Sequence, residues 1–345
     1  MLHGGNIYED VTRKVKLDFS VNTNPYPYPE SLEEGIKKSF EEIGRYPDLE
    51  QRELRKAIAV LEGVEEKQVL GGNGASELFL GIVNHLRPKK ALLINPGFYG
   101  YRHVLTARGD CEIKDYYLHE KENFELKEDV ISEIKKGTDL LFLTNPNNPT
   151  GRCINEKLLI KIIECCKECG CAVVVDECFL RLSSDGVSVK NLINKYEGLF
   201  VVDAFTKLFA IPGIRAGYVI SNERNISFIK KQLPEWNMSV MAQTAARLCC
   251  DILINTSYRK DSACYIKKER EYVSKALSDM GYKVFDSDTD FILLKSEVNL
   301  YEELLKRKIL IRDCSSFNGL GKGFYRLAIK NHEENKELLR ALMDF

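Results

Sequence analysis

Between residues 66 and 220, short apolar runs alternate with segments of helical periodicity, and this alternation restricts the possible folds more than any other sequence feature. The runs are mostly continuous, as expected for strands that are covered on both faces. They span 69–70, 91–94, 140–143, 172–175, 200–202 and 218–220. In one intervening segment, apolar residues recur on a single helix face, at Leu78, Phe79, Ile82, Val83 and Leu86. The pattern predicts an α/β domain with a largely parallel sheet.

The remainder of the 345 residues indicates a second, smaller unit. A long helical stretch over about 238–280 precedes strand candidates at 282–285, 291–294, 309–311 and 324–329 and helix candidates at 300–306 and 332–343. The first 30 residues are rich in proline and are predicted to be extended. We therefore predict an N-terminal arm (1–30), a large α/β domain (31–235) and an interdomain helix with a small α+β domain (236–345).

The charge balance gives no general reason for the chain to bind a polyanion. Lys and Arg number 50 against 51 Asp and Glu, so the formal net charge is -1. We expect no nucleic-acid partner. The sequence begins without an apolar signal region, and no stretch approaches about 20 apolar residues, the length that spans a membrane. A cytoplasmic location without membrane contact is the resulting expectation.

Eleven cysteines are unusual for this length, and four of them crowd together at Cys165, Cys166, Cys169 and Cys171. A four-thiolate zinc site usually shows two separated CxxC pairs, and the sequence has no second pair. The apolar residues before them repeat at helical spacing. We therefore predict reduced thiols on or just after a buried helix face, and no metal site.

Ligands of open α/β sheets bind beyond the carboxyl ends of the strands, where this sequence carries unusual residues. GGNGASE follows the first run, and its Gly74, Ala75 and Ser76 could open a helix whose free N–H groups hold a phosphate. An ordinary glycine turn remains an alternative. Phe98 follows the second run, where it could stack on a planar ligand or simply pack. The third run ends in NPNNPTG, a rigid turn that contains Asn148.

The next two strand ends carry charge. Asp176 ends the fourth run, where a buried carboxylate needs a partner; no GxxxxGK[ST] motif supports a phosphate-loop nucleotidase. Lys207 follows the fifth run, with Arg215 eight residues on, and a desolvated lysine can form a Schiff base. A surface lysine is the alternative for any single Lys. Together, the phosphate cradle, aromatic ring, amide, carboxylate and lysine are the groups that pyridoxal phosphate (PLP) requires.

On NPNNPTG, the strand-end Asp176 and TKLFAIPGIRAGY, the chain resembles the fold-type-I PLP enzymes of the class I/II aminotransferase family. The resemblance covers nearly the whole chain. It implies that Lys207 forms a Schiff base with PLP and that Asp176 pairs with the ring nitrogen. It also implies that Asn148 forms a hydrogen bond with the ring 3′-oxygen and that Phe98 stacks on the ring. It further implies a phosphate site and a carboxylate site. The phosphate site comprises Gly74, Ala75, Ser76, Thr206 and Arg215, and Arg326 of FYRLAIK binds the substrate carboxylate.

RYPD, with Tyr46, is similar to the segment that reaches the neighbouring subunit's cofactor phosphate in this family, which implies a homodimer with shared active sites. The substrate would be a phosphorylated amino acid or amine. Two positions depart from the histidinol-phosphate aminotransferase branch: Phe179 replaces a tyrosine that bonds the ring oxygen, and Ala204 replaces a hydroxyl residue that contacts the phosphate.

HGGN, DFSVNTNP, DECF and ILIRDC instead resemble the threonine-phosphate decarboxylases of cobalamin side-chain synthesis. In that branch His3 and Arg312 would bind the substrate phosphate. We therefore expect decarboxylation of L-threonine O-3-phosphate. Transamination of the histidinol-phosphate type is the main alternative. A non-catalytic ligand sensor is the least favoured reading, because the N-terminal arm is too short and insufficiently basic for a DNA-binding segment.

Overall fold

The computed structural model describes residues 4, 5, 8, 14–135 and 137–345, so His3 lies outside the described residues. Strands and helices alternate along most of the chain. The strands are β1 (Leu17–Asp18), β2 (Val69–Asn73), β3 (Lys90–Asn95), β4 (Glu112–Tyr117), β5 (Leu140–Thr144), β6 (Ala172–Asp176), β7 (Leu199–Ala204), β8 (Ala216–Ile220), β9 (Lys283–Val284), β10 (Phe291–Lys295), β11 (Ile309–Leu310), β12 (Arg312–Asp313) and β13 (Phe324–Ala328).

The helices cover both faces of the larger sheet and one face of the smaller one. They are α1 (Glu30–Lys38), α2 (Arg52–Glu62), α3 (Ala75–Leu86), α4 (Tyr99–Arg108), α5 (Val130–Ile134), α6 (Glu156–Cys169), α7 (Phe205–Leu208), α8 (Glu223–Lys230), α9 (Val240–Asn255), α10 (Tyr258–Asp279), α11 (Leu300–Lys306) and α12 (His332–Leu342). Among the described residues, no helix is both long and apolar enough to cross a bilayer.

A seven-stranded sheet has the order β2-β8-β7-β6-β5-β3-β4. Strand β8 runs antiparallel to both neighbours, and the other pairs are parallel. The six predicted strands are all present, and the predicted α/β fold with a largely parallel sheet is confirmed. Because β2, β3, β5, β6 and β7 point the same way, their carboxyl ends meet at one edge of the sheet.

The apolar runs are continuous because each strand supplies two cores. In β5, Leu141 and Leu143 face one core, whereas Leu140 and Phe142 face the other. The first core lies under helices such as α2, α6 and α9, and the second under α3, α4 and α8. Side chains alternate across a strand, so burial on both faces requires apolar residues at every position. The edge strand β4 has the polar sequence EIKDYY, which is why the sequence did not predict it.

A four-stranded antiparallel sheet, β12-β13-β10-β9, lies near the C-terminus and packs on α10, α11 and α12. Two details differ from the sequence-based expectation. The predicted helical stretch over 238–280 is two helices, α9 and α10, because the chain turns at Thr256, whose hydroxyl donates to the Ile252 carbonyl at 2.7 Å. The predicted strand at 309–311 gives β11, which pairs with β1 of the arm rather than with this sheet. The predicted domain boundaries stay a prediction.

The crowded cysteines lie where the helical pattern placed them. Cys165, Cys166 and Cys169 end α6, and Cys171 directly precedes β6. All eleven cysteines are free thiols. Within the part of the chain that the structure describes, no group of three or more His, Cys, Asp or Glu side chains has the geometry to hold a metal ion.

Candidate active site

The carboxyl edge of the seven-stranded sheet opens into a cavity of about 170 Å³. The N-terminal arm and the four-stranded sheet close its other sides, through residues that include Ser20 and Arg326. Six of the predicted site residues line this cavity: Phe98, Asn148, Phe179, Lys207, Arg312 and Arg326. The strand ends and the C-terminal sheet therefore converge on one space, which we call the sheet-edge cavity.

Lys207 lies on the one-turn helix α7, directly after β7. Its carbonyl accepts a hydrogen bond from the Asn24 N–H at 3.0 Å, so the arm fixes this turn. Its Nζ lies 5.4 Å from the centre of the Phe179 ring. Burial lowers the pKa of the Lys207 amine, and the nearby Asp290 carboxylate opposes that shift. A lowered pKa increases the fraction of neutral amine that can attack a carbonyl carbon.

Asp176 is the last residue of β6 and is buried at the carboxyl edge of the seven-stranded sheet. The Tyr101 hydroxyl donates to its Oδ2 at 2.6 Å, and the Cys178 N–H donates to its Oδ1 at 3.0 Å. Burial raises the pKa of Asp176, although these hydrogen bonds and the Lys207 charge act in the opposite direction. A buried carboxylate with only neutral donors is stabilised when a cation binds beside it.

The turn from β2 into α3, with Gly74, Ala75 and Ser76, lies beside Arg215, which directly precedes β8. We call these four residues the glycine cradle. Gly74 has φ +76°, and a Cβ at this position would clash with the Arg215 guanidinium. Glycine is therefore needed both for the backbone conformation and for the close approach of Arg215. The first amides of α3 point out of the helix beside this guanidinium, which is a favourable arrangement for a phosphate. Thr206 is buried one residue before Lys207.

Two buried arginines, Arg312 and Arg326, face the same cavity, and we call them the arginine pair. They are directly opposite each other in the antiparallel pairing of β12 with β13. Arg312 Nη2 donates to Ser316 Oγ at 3.0 Å, and its guanidinium lies 5.2 Å from the centre of the Phe317 ring. Burial lowers the pKa of both arginines, to about 10 for Arg326.

Arg326 also connects the cavity walls. Its Nη1 donates to Asn148 Oδ1 at 2.6 Å and its Nη2 donates to the Ser20 carbonyl at 2.8 Å. With its amide reoriented, Asn22 accepts two further bonds from the same guanidinium at 3.2 Å. Since Asn148 uses its oxygen for Arg326, its Nδ2 group remains the part that could donate to a ligand.

The geometry agrees with one family of proteins. The model of the family "Aminotransferase class I and II" matches residues 14–342. The chain belongs to the aminotransferase class I and II family. This family member is 30% identical over 350 residues to the threonine-phosphate decarboxylase of Salmonella typhimurium, a match that covers 99% of this chain and 95% of the relative. It is 31% identical over 340 residues to the histidinol-phosphate aminotransferase of Pyrococcus furiosus, covering 98% and 95%.

A solved structure gives the same result. The aminotransferase-family chain resembles the crystal structure of the histidinol-phosphate aminotransferase from Clostridium acetobutylicum with a TM-score of 0.87 and 34% identity. That match covers 95% of this chain and 98% of the other. The resemblance to class I/II aminotransferases and the fold-type-I architecture are thus confirmed.

Tyr46 is a predicted site residue that does not line the sheet-edge cavity. Tyr46 is 77% exposed and packs against Trp236 in a tilted arrangement, with 4.8 Å between the ring centres. Its role was predicted to be in a neighbouring subunit's site, and that stays a prediction. His3 falls outside the described residues, so its predicted phosphate contact also stays a prediction. Within the cavity, Phe179 packs edge-on against Phe291, and Phe98 packs edge-on against Tyr101.

The structure adds residues that the sequence did not indicate. Tyr101 holds Asp176, but in the sequence it reads as an ordinary apolar position of α4. Ser20 and Asn22 belong to DFSVNTNP, a motif that by itself implies no role for either residue. Asp290 precedes β10 and resembles a turn aspartate in the sequence. No local signal could have placed it near Lys207, because the two are 83 positions apart.

Proposed function

We propose that the chain is a PLP-dependent enzyme of cobalamin side-chain synthesis that decarboxylates L-threonine O-3-phosphate to 1-amino-2-propanol phosphate. The observation that carries the proposal is the arginine pair, two buried guanidinium groups side by side in the cavity that contains Lys207. Two desolvated cations at one site favour a ligand with two anionic groups. Threonine phosphate has a carboxylate and a phosphate on adjacent carbons.

The residues present fit PLP. Lys207 offers a buried amine of lowered pKa, and the glycine cradle offers helix amides and Arg215 for its phosphate. Asp176 has a raised pKa and only neutral hydrogen-bond donors, so a protonated ring nitrogen would supply the missing cation. When bound, PLP would supply an electron sink for the pair that remains on Cα after a bond breaks.

The chain's own residues would orient and protonate the substrate. Arg326 suits the carboxylate because its planar fork donates two parallel hydrogen bonds, and Arg312 suits the phosphate. In the reaction the bond from Cα to the carboxylate breaks, and carbon dioxide leaves without the electron pair. Lys207 Nζ then gives a proton to Cα and becomes neutral. The name of the Salmonella typhimurium relative supports this branch, as does Phe179 in place of a tyrosine.

The runner-up is an aminotransferase of the histidinol-phosphate type, which the 31% and 34% identities to such proteins favour. In that reaction neutral Lys207 would remove the Cα proton instead of supplying one. Both reactions use the same cavity, and they differ in the Cα bond that is broken.

A homodimer in the cytoplasm is a further part of the proposal. Four large apolar residues are exposed, with exposed fractions from 42 to 77%: Phe40, Ile43, Tyr46 and Trp236. Exposed apolar clusters of this kind usually mark an interface. Sedimentation should give twice the chain mass of 39.4 kDa, and Ile43→Glu should reduce it. A fully active native monomer would contradict the dimer.

The test of the reaction offers the purified holoenzyme L-threonine O-3-phosphate in one assay and histidinol phosphate with 2-oxoglutarate in another. We expect carbon dioxide release in the first and no glutamate in the second. Glutamate formation without carbon dioxide release would replace the proposed reaction by the runner-up. Neither product would favour the ligand sensor.

A further inference from the structure

Phe317 lies in the segment between β12 and β13, and its side chain lines the sheet-edge cavity. A second cavity of about 20 Å³ adjoins this one, and we call it the side cavity. The two cavities share four lining residues: Phe98, Tyr99, Arg312 and Phe317. These residues therefore form the boundary between the two spaces, on the side of the sheet-edge cavity that contains Arg312.

Several contacts fix the Phe317 ring at this boundary. The ring centre is 5.2 Å from the Arg312 guanidinium, a distance at which a cation and an aromatic ring attract each other. The half-buried ring also packs against an apolar cluster that includes Leu320 and Phe324. In the backbone, the Phe317 N–H donates to the Cys314 carbonyl at 3.0 Å, and the Leu320 N–H donates to the Phe317 carbonyl at 3.1 Å. Phe317 is thus held as a firm wall of the cavity.

The side cavity behind this wall is small and partly polar. At about 20 Å³ it has room for about one water molecule. Its polar lining residues include Asn95, Arg102, Ser316 and Asn318. The Arg102 charge is already paired with Asp115, so the side cavity offers polar contacts rather than a second strong cation. Removal of the Phe317 ring would join this polar space to the sheet-edge cavity.

The wall has a consequence for a substrate that spans the arginine pair. If Arg326 binds the carboxylate and Arg312 binds the phosphate, the ring beside Arg312 limits the distance between the phosphate and Cα. In threonine phosphate, Cβ and one oxygen separate Cα from phosphorus. A side chain with one more methylene would push its phosphate toward the ring. In a well-packed pocket, one methylene changes binding by roughly tenfold or more.

We propose that Phe317 is a specificity-determining residue that restricts the substrate to a short phosphorylated side chain, of the length found in threonine phosphate. The inference rests on the proposed function, because it takes Arg312 as the group that binds the substrate phosphate. Phe317 acts by excluding longer side chains from the side cavity, and it has no part in breaking the bond to Cα.

Two phosphonates that differ by one methylene test the wall. L-2-Amino-4-phosphonobutanoate has the spacer length of threonine phosphate, and L-2-amino-5-phosphonopentanoate is one methylene longer. The change in the visible absorption of the holoenzyme gives the dissociation constant of each compound. We expect the native protein to bind the shorter compound roughly tenfold more tightly or better. In Phe317→Ala the two constants should agree within about threefold, because the longer side chain can enter the side cavity.

The ratio of the two constants is the readout, since loss of the ring also frees Arg312 and weakens both compounds. Leu320→Ala is the matched control, because Leu320 belongs to the same segment and to the same apolar cluster but lines neither cavity. Leu320→Ala should keep the native ratio, and so should Phe317→Tyr, which keeps the ring. If Phe317→Ala does not fold, Phe317→Leu should lower the ratio to an intermediate value. A native ratio in the folded variant that lacks the ring, or an equal fall in Leu320→Ala, would overturn the proposal.

The experiment separates the wall from the proposed reaction, because it measures binding and not turnover. If the holoenzyme releases carbon dioxide from threonine phosphate and Phe317→Ala keeps the native ratio, the reaction stands and the role of Phe317 is overturned. If the ratio falls in Phe317→Ala but no carbon dioxide is released by the native holoenzyme, the role of Phe317 is supported and the proposed reaction is overturned.

Discussion

The molecule carries two cationic regions that are built in opposite ways. The glycine cradle is open to solvent, since Ser76 and Arg215 are exposed, and much of its positive character comes from backbone amides at the start of α3. The arginine pair is buried, and its positive character comes entirely from two side chains, Arg312 at 3% and Arg326 at 6% exposure. The first region is hydrated before an anion binds and must give up that water on binding. The second has paid its desolvation cost before any ligand arrives.

That difference indicates which ligand group each region suits. Backbone amides fixed by a helix form a preformed phosphate site, which suits a cofactor that stays bound through many turnovers. Two facing guanidinium groups repel each other, and Arg312 contributes to the lowered pKa of Arg326. An entering dianion relieves this repulsion, and a product that has lost one charge relieves it less. The arginine pair therefore favours the exchange of substrate for a decarboxylated product.

The largest expected effect comes from Lys207, which belongs to neither region. Lys207→Ala should leave both cationic regions intact and still reduce turnover by at least about 10³-fold, because the proposed covalent anchor and proton carrier would be lost. The visible absorption of the covalently linked cofactor should also disappear from the spectrum. The control Lys231→Ala, at an exposed lysine beside Phe228, should retain both turnover and visible absorption. Retained absorption in Lys207→Ala would show that another residue carries the cofactor.

A smaller effect is expected in the glycine cradle. Gly74→Ala places a Cβ against the Arg215 guanidinium at a residue with φ +76°. The strain should cost about 1 kcal/mol and weaken cofactor binding roughly fivefold. Gly213→Ala is the matched control, since a Cβ there meets no atom within 4 Å. Equilibrium titration of the cofactor-free chain with the cofactor measures the affinity of each variant. Equal affinities would mean that Arg215 is not part of the cradle.

The smallest effect concerns the arginine pair in the absence of substrate. With cofactor saturating the cradle, inorganic phosphate at several times its Kd should stabilise the native protein by about 1 kcal/mol. The melting temperature should rise by roughly 2–3 °C. The rise should be lost in Arg312→Gln and kept in Arg340→Gln, an exposed arginine of α12. An unchanged rise in Arg312→Gln would place the phosphate elsewhere.

The two regions also differ in how far the sequence predicted them. The strands around Asp176 and Lys207 were predictable because two-sided burial produces continuous apolar runs, and parallel strands end at one edge. Gly74 follows from the same rule, whereas Arg215 precedes the antiparallel strand β8 and its role was implied only by the family resemblance. The pairing of Arg312 with Arg326, in contrast, depends on the register of β12 with β13, and one sequence carries no signal for that register.

Other contacts were unpredictable for the same reason. Tyr101 and Asp290 reach the site through packing between elements that are far apart in the chain. Only the three-dimensional structure reveals that one oxygen of the buried Asp290 carboxylate, Oδ2, has no hydrogen-bond partner among the described residues. Such a departure is expected at a functional site rather than in a core.

The central claim is that Arg326 binds the carboxylate and Arg312 binds the phosphate of the same substrate. Two fragments of that substrate test it most directly. L-Threonine has the carboxylate without the phosphate, and 1-amino-2-propanol phosphate has the phosphate without the carboxylate. Their competitive inhibition constants are measured on the native holoenzyme, Arg312→Gln and Arg326→Gln. The account predicts that Arg312→Gln weakens only the phosphate fragment and that Arg326→Gln weakens only L-threonine, each roughly tenfold or more. Equal weakening of both fragments by both variants, or the reverse assignment, would contradict it.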